Sequence, residues 1–276
     1  MYRIVASDMD ETFLASDHTV PQANIDAIAR LRELGCLFVP ASGRAYGSVM
    51  ESIAAVPPKL MEGSYVISYN GGCINRYGDP RPLTSSSLPF GRVEALFSHA
   101  VSLGLCSHIY EVSGKVWINR IPRAEAGHLA GHMAYEPFGG DSIDFLRSVP
   151  LAKILYCVPD GMEELRQMLE GMPASLTEGT SATFSSGRYL EFNPAGVDKG
   201  AGLARLARLL GVDMDETVAC GDAANDIPMV EAAGVGVAVS NASDGLPDVA
   251  DYLASSSNDD GILAEVTERI VAPANR

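Results

Sequence analysis

The sequence predicts an α/β protein: a doubly wound parallel-sheet core interrupted by an inserted α+β module. Three observations predict it. Short apolar runs alternate with helical periodicities over residues 1–84 and again over 191–276. Several of those runs end in polar residues able to do chemistry. The stretch 80–87, rich in Pro and Ser, breaks the alternation, and beyond it runs of hairpin type take over. Strand–helix–strand repetition implies parallel strands with right-handed crossovers. Residues 85–190 are therefore read as the insertion, and 1–84 and 191–276 as the two parts of the core.

In order, Ile4-Val5-Ala6 reads as a buried strand that carries Asp8 and Asp10 to its carboxyl end, with Thr12 just after. Residues 14–19 are polar and read as a flap. Pro21 suits a first helical position, and Ile25, Ile28, Leu31 and Leu34 recur near helical spacing up to Gly35. A second strand, 36–39, runs into Ala41-Ser42-Gly43-Arg44. A helix is expected over 46–55, stopped by Pro57-Pro58, and a third strand over 65–68 ends in Asn70-Gly71-Gly72.

In the insertion the pattern predicts a helix over 90–102 and hairpin strands 106–110 and 115–118 joined at Ser113-Gly114. A strand over 152–158, a helix over 162–169 and strands at 182–184 and 189–192 follow. The wound pattern resumes with a helix over 199–210, whose apolar face is Leu203, Leu206, Leu209 and Leu210 and whose end is Gly211. A strand over 217–220 ends in Gly221-Asp222. A helix to Ala233, strands at 235–239 and 252–254 and a helix over 262–270 complete the chain.

Composition narrows the function. The chain has 276 residues, more than the roughly 100–150 of a typical single domain, so two domains are expected. A net charge of −15 argues against a nucleic-acid or anionic-membrane surface, although a local cation could still receive an anionic ligand. Cys36, Cys73, Cys106, Cys157 and Cys220 are scattered, with no Cys-x-x-Cys and no Cys/His cluster along the sequence, which reads as reduced thiols in a cytoplasmic protein. The first residues do not read as a signal peptide, and no apolar run could span a bilayer.

Four strand or helix ends carry polar groups in an otherwise apolar layer: Asp8 with Asp10, Ser42, Lys199, and Asp222 with Asn225-Asp226. Parallel strands place their carboxyl ends on one edge, so these groups can converge. Two close carboxylates need a cation between them or a proton on one of them. A carboxylate can attack phosphorus while a second moves the proton, and an ammonium with Mg²⁺ can neutralise the phosphoryl oxygens. Mg²⁺ takes oxygen ligands and keeps several waters, so one or two carboxylates suffice.

Asp8-Met9-Asp10-Glu11-Thr12, Ala41-Ser42-Gly43-Arg44, Asp198-Lys199-Gly200 and Gly221-Asp222-Ala223-Ala224-Asn225-Asp226, in this order, resemble the motifs of the haloacid dehalogenase superfamily. The match is to its Cof-type phosphatases with a large α/β cap. Tyr69-Asn70-Gly71-Gly72, Ser240-Asn241-Ala242 and Asn258-Asp259-Asp260-Gly261 resemble Cof-type sequences as well. The resemblance implies Asp8 as the nucleophile that forms an aspartyl-phosphate and Asp10 as acid and then base. Ser42, Gly43, Arg44, Asn70, Lys199 and Asn225 would hold phosphate or substrate. Mg²⁺ would be bound by Asp8, Asp222 and the backbone carbonyl of Asp10, with Asp226 orienting the metal's waters or Lys199.

The substrate implied is a small phosphorylated metabolite such as a sugar phosphate, the inserted cap would act as a lid, and the protein would be a monomer or small homo-oligomer. A phosphomutase of the same superfamily, or a non-catalytic phosphometabolite-binding protein, would carry much of the same set. One departure is Glu11, where the family usually has Gly; it reads as a solvent-facing residue. In the insertion, His108, Tyr110, Trp117, Lys153, Arg188 and Glu191 read as packing or structural residues rather than substrate contacts.

Overall fold

The four-residue run Ile4–Ser7 forms the central strand of the first unit, and its alternation shows why the sheet is buried on both sides. Ile4 and Ala6 pack with Leu203, Leu206 and Met229 on one face, while Val5 packs with Ile28, Leu31 and Leu263 on the other. The computed structural model describes residues 1–131, 133–243 and 245–275. The chain divides into two units, Met1–Thr84 with Asp198–Arg276 and Ser85–Val197.

In chain order the strands are β1 (Ile4–Ser7), β2 (Leu37–Pro40), β3 (Tyr65–Ser68), β4 (Cys73–Arg76), β5 (Pro82–Ser85), β6 (Cys106–Glu111), β7 (Val116–Asn119), β8 (Glu136–Phe138), β9 (Leu151–Cys157), β10 (Thr180–Ser185), β11 (Tyr189–Pro194), β12 (Thr217–Gly221), β13 (Val235–Ala238) and β14 (Tyr252–Leu253).

In the first unit a parallel sheet runs in the order β14-β13-β12-β1-β2. A parallel bridge from Ala41 to Ile67 continues it towards β3. Helices Gln22–Glu33 and Ile262–Val266 cover one face and Lys199–Leu210 and Ile227–Ala232 the other, the doubly wound arrangement. Phe13 stacks on Phe38 with centroids 4.8 Å apart. Leu203 and Leu206 are fully buried, so truncating either to Ala should cost about 2–5 kcal/mol. Among the described residues no helix is long and apolar enough to cross a membrane.

Several expectations are corrected in detail. The turn Asn70-Gly71-Gly72 that ends β3 leads into antiparallel β4, a hairpin partner absent from the sequence reading. The 80–87 stretch carries β5. The helix expected over 46–55 ends at Ser52, and Pro58 opens a separate short helix, Pro58–Met61, at a position where a missing N–H costs nothing. The chain re-enters the first unit at Asp198 rather than at 191, because β11 pairs with both β9 and β10 and so belongs to the insertion.

The second unit is built on a six-stranded sheet in the order β10-β11-β9-β6-β7-β8, antiparallel except where β7 meets β8. One face is apolar: Ile109, Ile154, Tyr156, Leu190 and Phe192 pack with Val93, Leu96 and Phe97 of helix Phe90–Ser102. Side chains alternate along strands, so the opposite face carries Cys106, His108, Tyr110, Lys153, Cys157, Tyr189 and Glu191.

Candidate active site

The register of the parallel strands puts the candidate groups at one level. Ser7 pairs with Cys220 on one side and Pro40 on the other, so the next residues, Asp8, Gly221-Asp222 and Ala41-Ser42, leave the sheet together. Backbone bonds hold these exits: Asp8 N–H donates to the Cys220 carbonyl at 3.0 Å, Ala41 N–H to Ser7 at 2.8 Å, and Ser42 N–H to Ile67 at 2.9 Å. Lys199 arrives from elsewhere, at the start of helix Lys199–Leu210, whose N-cap Asp198 accepts from Ala201 N–H at 2.7 Å.

That helix start lies against the Tyr69–Gly72 turn. At Gly71 (φ +90°) a Cβ would sit 2.1 Å from the Asp198 carbonyl oxygen, so only glycine permits this approach. On the other side, a Cβ at Gly221 would meet the Asp226 side chain at 2.4 Å.

The centre is a buried ionic cluster. The Lys199 ammonium is fully buried and donates to Asp8 Oδ1 and, at 2.5 Å, to Asp226 Oδ1. The other Asp226 oxygen accepts from the backbone N–H groups of Asp222 and Ala223 at 3.1 and 3.2 Å. Asp226 therefore orients Lys199 and the Asp222 loop. Thr12 donates its hydroxyl to Asp222 Oδ1 at 2.7 Å.

The charges do not balance: three carboxylates surround one ammonium. Burial above all, and then the charge of Asp226, holds the Asp8 pKa well above the ordinary carboxylate range despite Lys199. Burial also pushes Asp222 up to about 6, opposed by the Thr12 hydrogen bond. For Lys199, burial pulls the pKa down, but the charges of Asp226 and Asp8 outweigh it and hold the ammonium above its usual value.

Oxygens of Asp8, Asp222 and Asp226 lie within 4.8 Å of one another. An all-oxygen, electron-rich set short of positive charge suits a hard divalent cation such as Mg²⁺.

Around this cluster the candidates fall into two groups. Asp10, with a 39% exposed side chain, accepts from the Arg44 guanidinium, which also donates to Ser52 Oγ at 3.0 Å. Ser42 is buried, and its hydroxyl oxygen accepts from Arg44 N–H at 3.1 Å, so Arg44 links the two candidates. Gly43 lies against the carboxamide of Asn70, which is buried with φ +52°. Asn225, by contrast, is exposed and its side chain makes no hydrogen bond among the described residues.

Glu11 is exposed with φ +54°, which gives the physical reason glycine suits that position. Its carbonyl accepts from Asn241 Nδ2 at 2.8 Å. Asn258 donates to Leu14 O, and Asp259 accepts from Ser16 N–H at 2.8 Å, so the two late motifs strap down residues 11–16 rather than reach the ionic cluster.

Asn24 belongs to this strap and escaped sequence reasoning. It is fully buried, donating to Phe13 O and accepting from Leu263 N–H. A signal was present, since Asn24 shares the apolar helix face of Ile28 and Leu31 at i, i+4 and i+7.

Comparison with known proteins agrees with this geometry. Residues 5–266 match the model of the haloacid dehalogenase-like hydrolase family. The chain is 27% identical over 272 residues to 5-amino-6-(5-phospho-D-ribitylamino)uracil phosphatase YcsE of Bacillus subtilis (strain 168), covering 96% of this chain and 94% of that protein. It is 28% identical over 243 residues to the HMP-PP phosphatase of Escherichia coli (strain 55989 / EAEC), covering 88% of this chain and 85% of that one. Among solved structures it is similar to BT1666 from Bacteroides thetaiotaomicron, described as one of the phosphatases of the haloalkanoate (HAD) superfamily. That match has a TM-score of 0.81 at 28% identity, over 98% of this chain and 96% of the other.

Proposed function

Because the chain belongs to the haloacid dehalogenase-like hydrolase family, we propose that it is a Mg²⁺-dependent phosphatase. It would hydrolyse small phosphate monoesters, sugar phosphates or related metabolites, through an aspartyl-phosphate on Asp8. The observation that carries the reading is the buried surplus of carboxylates around Lys199, at the carboxyl edge of a parallel sheet. The named relatives are phosphatases, which supports the reaction class.

In this mechanism Asp8 Oδ attacks phosphorus and the bond to the leaving oxygen breaks. The protonated Asp10 carboxyl delivers its proton to that oxygen, and the carboxylate then takes a proton from the water that hydrolyses the acyl phosphate. Lys199 and the Ser42 hydroxyl neutralise and orient the phosphoryl oxygens. The Arg44 guanidinium holds Asp10 while its backbone N–H donates to the Ser42 hydroxyl, so one residue helps position both acid and phosphate site. Asp8 and Asp222, with the Asp10 carbonyl, would hold Mg²⁺, which supplies positive charge against the phosphoryl oxygens. The inserted unit, residues 85–197, would be the cap that sets substrate choice.

The test is phosphate release from p-nitrophenyl phosphate and a panel of sugar and nucleoside monophosphates. Turnover that stops with EDTA and returns with Mg²⁺ is expected. Undiminished turnover in EDTA, or none with any monoester, would sink the reading.

A further inference from the structure

The polar face of the second unit's sheet holds a set of side chains that the phosphatase reading does not use. Cys106 and Cys157 stand directly opposite each other on antiparallel β6 and β9, and Tyr189 stands opposite Cys157 on β11. His108, two residues along β6, shares the Cys106 face. The two Sγ atoms and a ring nitrogen of His108 all lie within 4.8 Å of one another.

These groups are sealed from solvent: His108 is 0% exposed, Cys157 2% and Cys106 5%. Neither ring nitrogen of His108 has a hydrogen-bond partner of ordinary geometry among the described residues. A fully buried imidazole whose neighbours stand beyond ordinary hydrogen-bond reach is costly, and it points to a ligand. Helix Arg123–Leu129 adds Glu125, also 0% exposed, whose Oε1 is 3.6 Å from His108 Nε2.

We propose that Cys106, Cys157 and His108 form a binding site for a soft or borderline transition-metal ion, with Zn²⁺ as the representative and Glu125 as the carboxylate partner of His108. Two thiolates and an imidazole favour such an ion and disfavour Mg²⁺, which wants oxygen. Two sulfurs and a nitrogen supply three of the four positions of tetrahedral Zn²⁺. The surroundings are those of an outer shell. Tyr189 donates its hydroxyl to Glu125 Oε1 at 2.6 Å and Arg188 donates to Oε2 at 3.2 Å, fixing the carboxylate.

The charges close as well. Two thiolates and a carboxylate around a dication leave one negative charge, and Arg188 supplies its counter-ion. Bound metal would staple β6, β9 and helix Arg123–Leu129 together. The site goes beyond the phosphatase reading and involves none of its residues.

The test uses the full chain, reduced, stripped with chelator and kept in excess Mg²⁺ so that the aspartate cluster is not the reporter. Co²⁺ added to the folded chain, or present during refolding, should give a near-ultraviolet thiolate-to-cobalt charge-transfer band that Zn²⁺ then abolishes. Cys106→Ser and Cys157→Ser should each lose the band, and Glu125→Gln should weaken binding by about tenfold.

X-ray absorption of the zinc-loaded wild-type chain gives a readout independent of whether the variants fold. It should show two sulfur neighbours at about 2.3 Å. A shell of oxygen and nitrogen only, no zinc retained through gel filtration, a band that survives both serine substitutions, or a Cys106–Cys157 disulfide under reductant would overturn the proposal.

Discussion

Two of the buried ionic clusters, one taken from each unit, differ in their balance of charge. In the second unit Lys153 donates to Glu191 at 2.5 Å, Ser185 donates to the other Glu191 oxygen, and the Lys153 ammonium sits 4.9 Å from the Tyr110 ring centroid. A cation and an anion are paired there, and both are buried. In the first unit Lys199 is equally buried but faces Asp8 and Asp226 directly, with Asp222 adjoining. The pKa values of Asp8 and Asp222 are raised there. Burial of charge is common to both clusters; an unbalanced sum of charge belongs to one. A pair that closes on itself contributes specificity of packing, whereas a surplus of negative oxygens leaves work for a cation and a phosphoryl group.

Breaking each cluster should therefore have opposite consequences. The largest effect is expected for Asp8→Asn, which should lower phosphate release by about 10⁴-fold or more with the circular-dichroism spectrum unchanged. Next, Arg44→Ala should lower kcat by about tenfold to a hundredfold, since it frees the Asp10 carboxyl group, with Arg44→Lys recovering only part.

In the balanced cluster, Glu191→Ala should destabilise the second unit by about 3–5 kcal/mol in denaturant unfolding, because it takes the carboxylate from a buried ion pair. In the unbalanced cluster the sign reverses: Asp222→Asn should stabilise the metal-free chain at pH 7 by about 1–3 kcal/mol. The pH dependence follows. Asp222 has a folded pKa of about 6, above the ordinary aspartate value of 3.8, so the folded state holds the proton longer. Stability in EDTA should then fall as pH rises from about 4 to about 6 and level off above, and Asp222→Asn should flatten that limb.

The smallest effect belongs to Glu11→Gly. Relief of the left-handed strain and the added freedom of the unfolded chain nearly cancel, for a thermal midpoint within about 2 °C of wild type.

The core was legible in the sequence because its signals are local. Ile4-Val5-Ala6, 217–220 and the 199–210 helix each carry their periodicity within a dozen residues, and parallel topology then forces Asp8, Ser42 and Asp222 to one edge. What escaped depends on pairings between distant segments. The sequence names Lys199 as a candidate at a helix start, but its full burial between Asp8 and Asp226 depends on segments far apart in the chain. Cys106 and Cys157 read as dispersed thiols because their meeting depends on the β6–β9 register. Asn241 and Asn258 resembled family residues without a visible task; the task is mechanical, holding residues 11–16 against the late loops.

The central claim is that Asp8 is the atom-transfer centre of the unbalanced cluster, and acid-quenched turnover tests it most directly. The chain, mixed with a radiolabelled phosphate monoester and Mg²⁺, is quenched within one turnover, digested and sequenced by mass spectrometry. Label should appear on the peptide carrying Asp8, be discharged by hydroxylamine, and be absent in EDTA and in Asp8→Asn. Label on another residue, or steady phosphate release from Asp8→Asn at the wild-type rate, would contradict the account.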